Sequence, residues 1–111
     1  MSKTVPSPVK EFPGHIVMPD FLTLAQVFAF EKASDDVSAL KGGTIRRSSV
    51  DEIYLPMVFD IVQEWHIDGQ PEKPTLETWR ATPRKASADL TAWVIGEVTR
   101  LYLGETEIPN A

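Results

Sequence analysis

No cysteine occurs among the 111 residues. That excludes a disulfide scaffold, a thiolate zinc site and thiol catalysis, and leaves the redox compartment unmarked. Histidine is nearly as scarce. His15 and His66 are the only two, too few for a convincing zinc site without thiolates. His66 is expected at a helix C-terminus, where a partly protonated imidazole suits the dipole. No apolar run approaches the ~18–20 residues of a membrane span. No apolar stretch follows the opening Met-Ser-Lys-Thr-Val-Pro-Ser-Pro, so no secretory signal is expected and the expected compartment is the cytoplasm. Basic charge is also short, with 11 Lys and Arg against 16 Asp and Glu, a net charge of −5. A chain of that sign has no general attraction to nucleic acid or anionic lipid. The Arg46-Arg47 and Arg84-Lys85 pairs are too small to reverse it. No Gly-x-Ser-x-Gly turn is present for a nucleophile elbow, and Gly42-Gly43-Thr44 lacks the Gly-Lys-Ser/Thr of a phosphate-binding loop. No catalytic, cofactor-binding or metal-ligating set is therefore expected.

What is present is an ordinary globular composition, 42% hydrophobic and 24% charged, in a chain of one domain's length. Residues 1–12, with Pro6 and Pro8, read as a flexible arm, 13–104 as a helical core and 105–111 as a frayed tail. Gly14 and Pro19 bound the β-branched pair Ile16-Val17, the pattern of a short strand. Thr23 and Gln26 have capping-box spacing, and Leu24, Val27, Phe28 and Phe30 share one arc of the following helix. That helix is expected to stop near Ser34, because Asp35-Asp36 suits a helix C-terminus badly. Leu40 to Gly43 reads as a turn or loop.

Ser49 and Glu52 repeat the capping-box spacing and open a second helix. Its apolar residues, Ile53 to Trp65, cover about two thirds of the wheel by the 3.6-residue period. Pro56 either kinks it or marks a later start at Leu55. Asp68-Gly69 ends the element. Residues 70–83 read as a proline-rich loop pinned by Trp79, with Thr78-Trp79-Arg80 as a possible brief strand beside residues 15–18. A third helix begins at Thr82-Pro83 or Ser87 and carries Leu90, Trp93, Val94, Val98, Leu101 and Tyr102, with Gly104 as C-cap. The fold class expected is mainly α, α+β at the margin: a compact three-helix domain, near 23–34, 50–66 and 84–103, with a short N-terminal strand or hairpin.

Glu31 and Glu97 each fall inside an apolar arc. Two such carboxylates on facing helices suit acid–base chemistry or a metal, but neither has the Glu-x-x-His partner of carboxylate bundles. Pairing with a base or a position at the rim of the face is the structural alternative. The second helix is the more informative feature. An apolar wheel that broad either sits centrally in the core or leaves a face, with Tyr54, Met57, Phe59 and Trp65, for a partner. Met57→Asp separates the two, blocking association at an interface and unfolding the domain at a core position.

The run Pro13-Gly14-His15-Ile16-Val17-Met18-Pro19-Asp20-Phe21-Leu22-Thr23, followed by a helix ending Phe30-Glu31-Lys32-Ala33, resembles the opening of the small tail assembly chaperones of long-tailed bacteriophages. The second half agrees more loosely, through Glu64-Trp65, a proline-rich loop, Ala92 to Val98 and Leu101-Tyr102-Leu103-Gly104-Glu105. The resemblance spans residues 13–34 and 64–110. It implies a non-enzymatic, helical, self-associating protein of the host cytoplasm. Such a protein binds the tape-measure protein and keeps it soluble until tail-tube subunits polymerise round it. It also implies a possible longer form made by frameshifting, which would begin near Glu105. Two other readings stay open: an adaptor or tail-completion protein retained in the particle, and a small carboxylate enzyme with Glu31 and Glu97 in one pocket.

Overall fold

The computed structural model describes residues 2–40, 45–83 and 86–106. The Gly42-Gly43-Thr44 loop, the Arg84-Lys85 pair and the tail beyond Thr106 lie outside them. In chain order the elements are β1 (Ser2–Pro6), β2 (Gly14–Pro19), α1 (Leu24–Ser38), α2 (Arg47–Ile61), β3 (Glu64–Ile67), α3 (Leu76–Arg80) and α4 (Ser87–Thr106). The strands form one antiparallel sheet in the order β1-β2-β3, with Val5 opposite Ile16 and His15 opposite His66. The fold is thus α+β, with four helices and a three-stranded sheet among the described residues, rather than three helices with a marginal strand.

The opening segment is part of that sheet and not a loose arm. Pro6 ends an edge strand, where a missing amide costs no ladder bond. The connection to β2 is tied down by the Ser7 amide donating to the Gly14 carbonyl at 2.9 Å. Val9 and Phe12 from the same stretch are buried. β2 occupies the span its β-branched pair predicts. Ile16 and Met18 point inward with Trp65 and Ile67 of β3, while His15, Glu64 and His66 lie on the outer face. One apolar cluster joins those inward residues to Phe30 of α1, Leu55, Val58 and Ile61 of α2, Trp79 of α3, and Leu90, Val94 and Val98 of α4. Alternation on the strands and three-to-four spacing on the helices produce that single core.

α1 begins as its capping box dictates, with the Gln26 amide donating to Thr23 Oγ1 and the Thr23 amide to Gln26 Oε1. It runs a turn beyond Ser34. Lys32 and Asp36 pair at 3.0 Å, and Ser34 Oγ meets Tyr54 OH at 3.1 Å, which offsets the poor placement of two acids at a C-terminus. α2 starts at Arg47, before the expected Ser49 box, with Arg46 as N-cap and no side-chain cap. Pro56 lies inside α2 on its exposed side, so the carbonyl it leaves without a donor, that of Glu52, faces water. The helix stops at Ile61, earlier than expected. Val62 turns extended, and the Gln63 amide donates to the Val17 carbonyl at 2.8 Å, opening the ladder of β3.

Thr78-Trp79-Arg80 belongs to a short helix, not to a strand beside β2. Thr75 caps α3, and Thr78 answers with its own hydroxyl. Arg80 Nε reaches Glu52 Oε1 of α2 at 2.7 Å, an exposed pair that lowers the Glu52 carboxyl below its ordinary range. Trp79 seats among Phe59 and Trp65, with ring centroids 5.4 and 5.6 Å away. Its indole N–H donates to Thr91 Oγ1 at 2.9 Å, and that hydroxyl donates on to the Ser87 carbonyl at 2.8 Å. Thr91→Val keeps the shape but leaves the indole N–H buried without an acceptor. Urea unfolding is expected to show a loss of about 1–3 kcal/mol, with the Ser variant close to wild type. An unchanged midpoint for the Val variant contradicts this.

α4 runs through Gly104, which is therefore no C-cap. Gly96 lies in its interior, and an added methyl group there meets nothing within 4 Å. Gly96→Ala is expected to stabilise the domain by about 0.5–1 kcal/mol through helix propensity alone. A lowered melting midpoint rejects that.

Candidate functional site

Of the four candidate contact side chains, Tyr54, Met57, Phe59 and Trp65, two are buried and two are half-buried. Met57 and Trp65 are buried, and Trp65 belongs to β3 and not to a helix. Tyr54 is half-buried, with its ring 5.8 Å from Phe30 and its hydroxyl on Ser34. Phe59 is half-buried between the rings of Trp65 and Trp79. The broad apolar wheel of α2 is covered by α1 on one side, by α4 on another, and by the aromatic group of α3 and β3. A central helix needs that width.

The structure does not assemble Glu31 and Glu97 into a pair. Glu31 is exposed, and its Oε2 accepts from Tyr102 OH at 3.0 Å. That bond, with smaller contributions from burial and the carboxylate charge, raises the Tyr102 hydroxyl above its ordinary pKa. Glu97 is 11% exposed, and its Oε1 accepts from Arg100 Nη1 at 2.9 Å. The two carboxylates line separate depressions, one formed with Ser34, Asp35 and Tyr102, the other with Met18, Phe21, Arg100 and Leu101. The second is open and about 280 Å³, below the roughly 300–1,000 Å³ of ordinary ligand pockets.

His15 and His66 stand opposite each other across β2 and β3, ring centroids 4.7 Å apart, with His66 Nε2 3.0 Å from Glu64 Oε1. His66 therefore sits in a strand and not at a helix end. Among the described residues no three histidine or acidic side chains converge on a metal position. No helix among them is long and apolar enough to cross a membrane.

The most exposed large apolar side chains are Phe21 at 77%, Leu24 at 67% and Phe28 at 58%. By helical spacing Leu24 and Phe28 share one arc with Val27 and Phe30. The helix divides that arc. Phe30 and Ala33 are buried and Val27 is packed against the core, while Leu24 and Phe28 lie about 120–160° of rotation from Phe30 by the helical period and face water. The signal that separates the halves was Glu31. Its place beside Leu24 and Phe28 marks that side of the arc as wet, and Asp35 one turn on repeats the mark.

In comparisons with known proteins, no family model, no curated protein and no solved structure matches this chain.

Proposed function

We propose that this protein is a tail assembly chaperone of a long-tailed bacteriophage. It binds the tape-measure protein in the host cytoplasm and keeps it soluble while the tail-tube protein polymerises. The observation that carries the reading is the exposed apolar pair Leu24 and Phe28 on a helix otherwise anchored in the core, with exposed Phe21 in the turn before it. A monomeric domain gains nothing from two phenylalanines and a leucine in water, whereas a protein that shields apolar helices needs such a surface. The acidic charge supports the same reading, because it keeps the loaded chaperone soluble and gives it no hold on nucleic acid. The resemblance of residues 13–34 and 64–110 supplies the identity of the partner. Self-association, which the resemblance also implies, does not run through Met57 and Trp65, which are buried.

Co-expression with a tape-measure fragment tests the proposal. The soluble yield of the fragment is expected to rise several-fold, and light scattering is expected to report a mass above that of one chain at micromolar concentration. No gain in solubility, with a monomer throughout, counts against it. Recovery of the protein in finished particles transfers the reading to an adaptor or tail-completion protein, because an assembly chaperone leaves before the particle is complete.

A further inference from the structure

We infer that the outward row of α1 is the docking face for a single amphipathic helix, apolar along one half and basic along the other. The inference rests on the proposed function for the identity of the partner, and on the row itself for the partner's chemistry. Leu24, Phe28, Glu31 and Asp35 follow one another on α1 at steps of four, three and four, and Phe21 lies in the turn just before it. That alternation is the spacing at which a second helix packs as a seam. The first two are exposed apolar side chains and the last two are exposed acids. Lys32, next to Glu31 in sequence, is taken by Asp36 at 3.0 Å, so it does not neutralise the acids of the row.

The face is held rigid from behind. Phe30 stacks on Tyr102 at 4.1 Å, Tyr102 OH donates to Glu31, and the Thr23 capping box fixes the helix start. A preorganised face loses little entropy when a partner settles on it.

The occupant follows from charge and area. A second copy in parallel sets Glu31 and Asp35 against their own counterparts. A second copy in antiparallel sets Asp35 and Glu31 against Leu24 and Phe28, stripping water from carboxylates over apolar side chains. Both arrangements are penalised. A foreign helix with apolar residues followed by Lys or Arg meets each half of the row with its complement. Phenylalanines present about 150–250 Å² each. The apolar row therefore supplies several hundred Å², short of the ~800 Å² per partner of a standard stable interface. It fits a partner that must be released.

The test uses the full chain and labelled synthetic helical peptides of about three heptads, with Leu at the seam positions of the first half. In one peptide the second half carries Lys at those positions, in the other Glu. Anisotropy at low salt is expected to show the Lys peptide binding at least about tenfold more tightly. The Leu24→Gln/Phe28→Gln double variant, built from good helix formers, is expected to keep its circular dichroism and melting midpoint and to lose at least about tenfold in affinity. Glu31→Gln/Asp35→Asn is expected to abolish the preference for Lys over Glu. Equal binding of both peptides overturns the inference, as does undiminished binding by the Leu24/Phe28 variant. A wild-type dimer that this variant dissociates also overturns it, by giving the row to a second copy. The tape-measure fragment separates the two claims. If the Leu24/Phe28 variant solubilises it as well as wild type, the row fails and the chaperone reading stands. If wild type binds the Lys peptide selectively but leaves the fragment insoluble, the row stands and the chaperone reading fails.

Discussion

Gly14→Ala is expected to leave little folded protein, with a loss of at least about 3 kcal/mol from a total that for such domains is about 5–15. The backbone at Gly14 has φ +131°, outside what an L side chain tolerates. An added Cβ falls 1.9 Å from the His66 carbonyl oxygen, 2.9 Å from its carbon and 3.1 Å from the Ile67 Cα. All three atoms are backbone of β3, so no rotamer change relieves the clash. Strain and separation of β2 from β3 add together. Gly69→Ala is the control. Its φ is +87°, but the nearest atoms are on the Phe12 ring at 3.4 and 3.5 Å, so it bears only the conformational cost of about 1–2 kcal/mol. Urea titration of both variants checks the contrast. A Gly14→Ala midpoint equal to that of Gly69→Ala contradicts the strand geometry described.

Met57→Asp is expected to unfold the domain, whereas Phe28→Asp is expected to leave it folded. Met57 is 7% exposed within the core cluster, and a carboxylate there is taken out of water among apolar side chains, at a cost of about 3 kcal/mol or more. Phe28 is 58% exposed, and the same charge there meets only water. Thermal melts followed by circular dichroism distinguish them. A cooperative native melt for Met57→Asp returns the second helix to the surface as a binding face. An unfolded Phe28→Asp places the row of α1 in the core.

These two positions also show how far the sequence could be read. The three longer helices were legible, and the start of α1 was legible to the residue, because Thr23 and Gln26 state a local hydrogen-bond pattern. The span of β2 was equally plain between Gly14 and Pro19. β1 was hidden because Ser2-Lys3-Thr4-Val5-Pro6 has one apolar residue and draws its order from pairing with β2. β3 was hidden because Trp65 and Ile67 extend the apolar count of α2. Only the extended backbone from Val62 onward converts them to a period of two. α3 was missed because Thr78 closes its capping box with a hydroxyl, where the usual pattern has Glu or Gln. The exposed row was hidden because Leu24 and Phe28 satisfy helical spacing as well as Phe30 does. Spacing identifies a stripe, but the partner waiting for it is a property of the assembled fold.

The sheet order has a kinetic consequence. β1 and β2 are neighbours in sequence and close as a hairpin, but β3 reaches the other edge of β2 only after residues 20–63, including helices α1 and α2. Closing a loop of that length costs entropy that no contact repays until Trp65 and Ile67 are seated. Helices form in microseconds or less, so in stopped-flow refolding the docking of β3 is expected to be slower than helix formation. During synthesis, β2 leaves the ribosome with one edge unpaired and stays so until Ile67 has followed. A nascent chain stalled between α2 and β3 therefore offers a free strand edge, and that interval is when this protein itself most needs protection from aggregation.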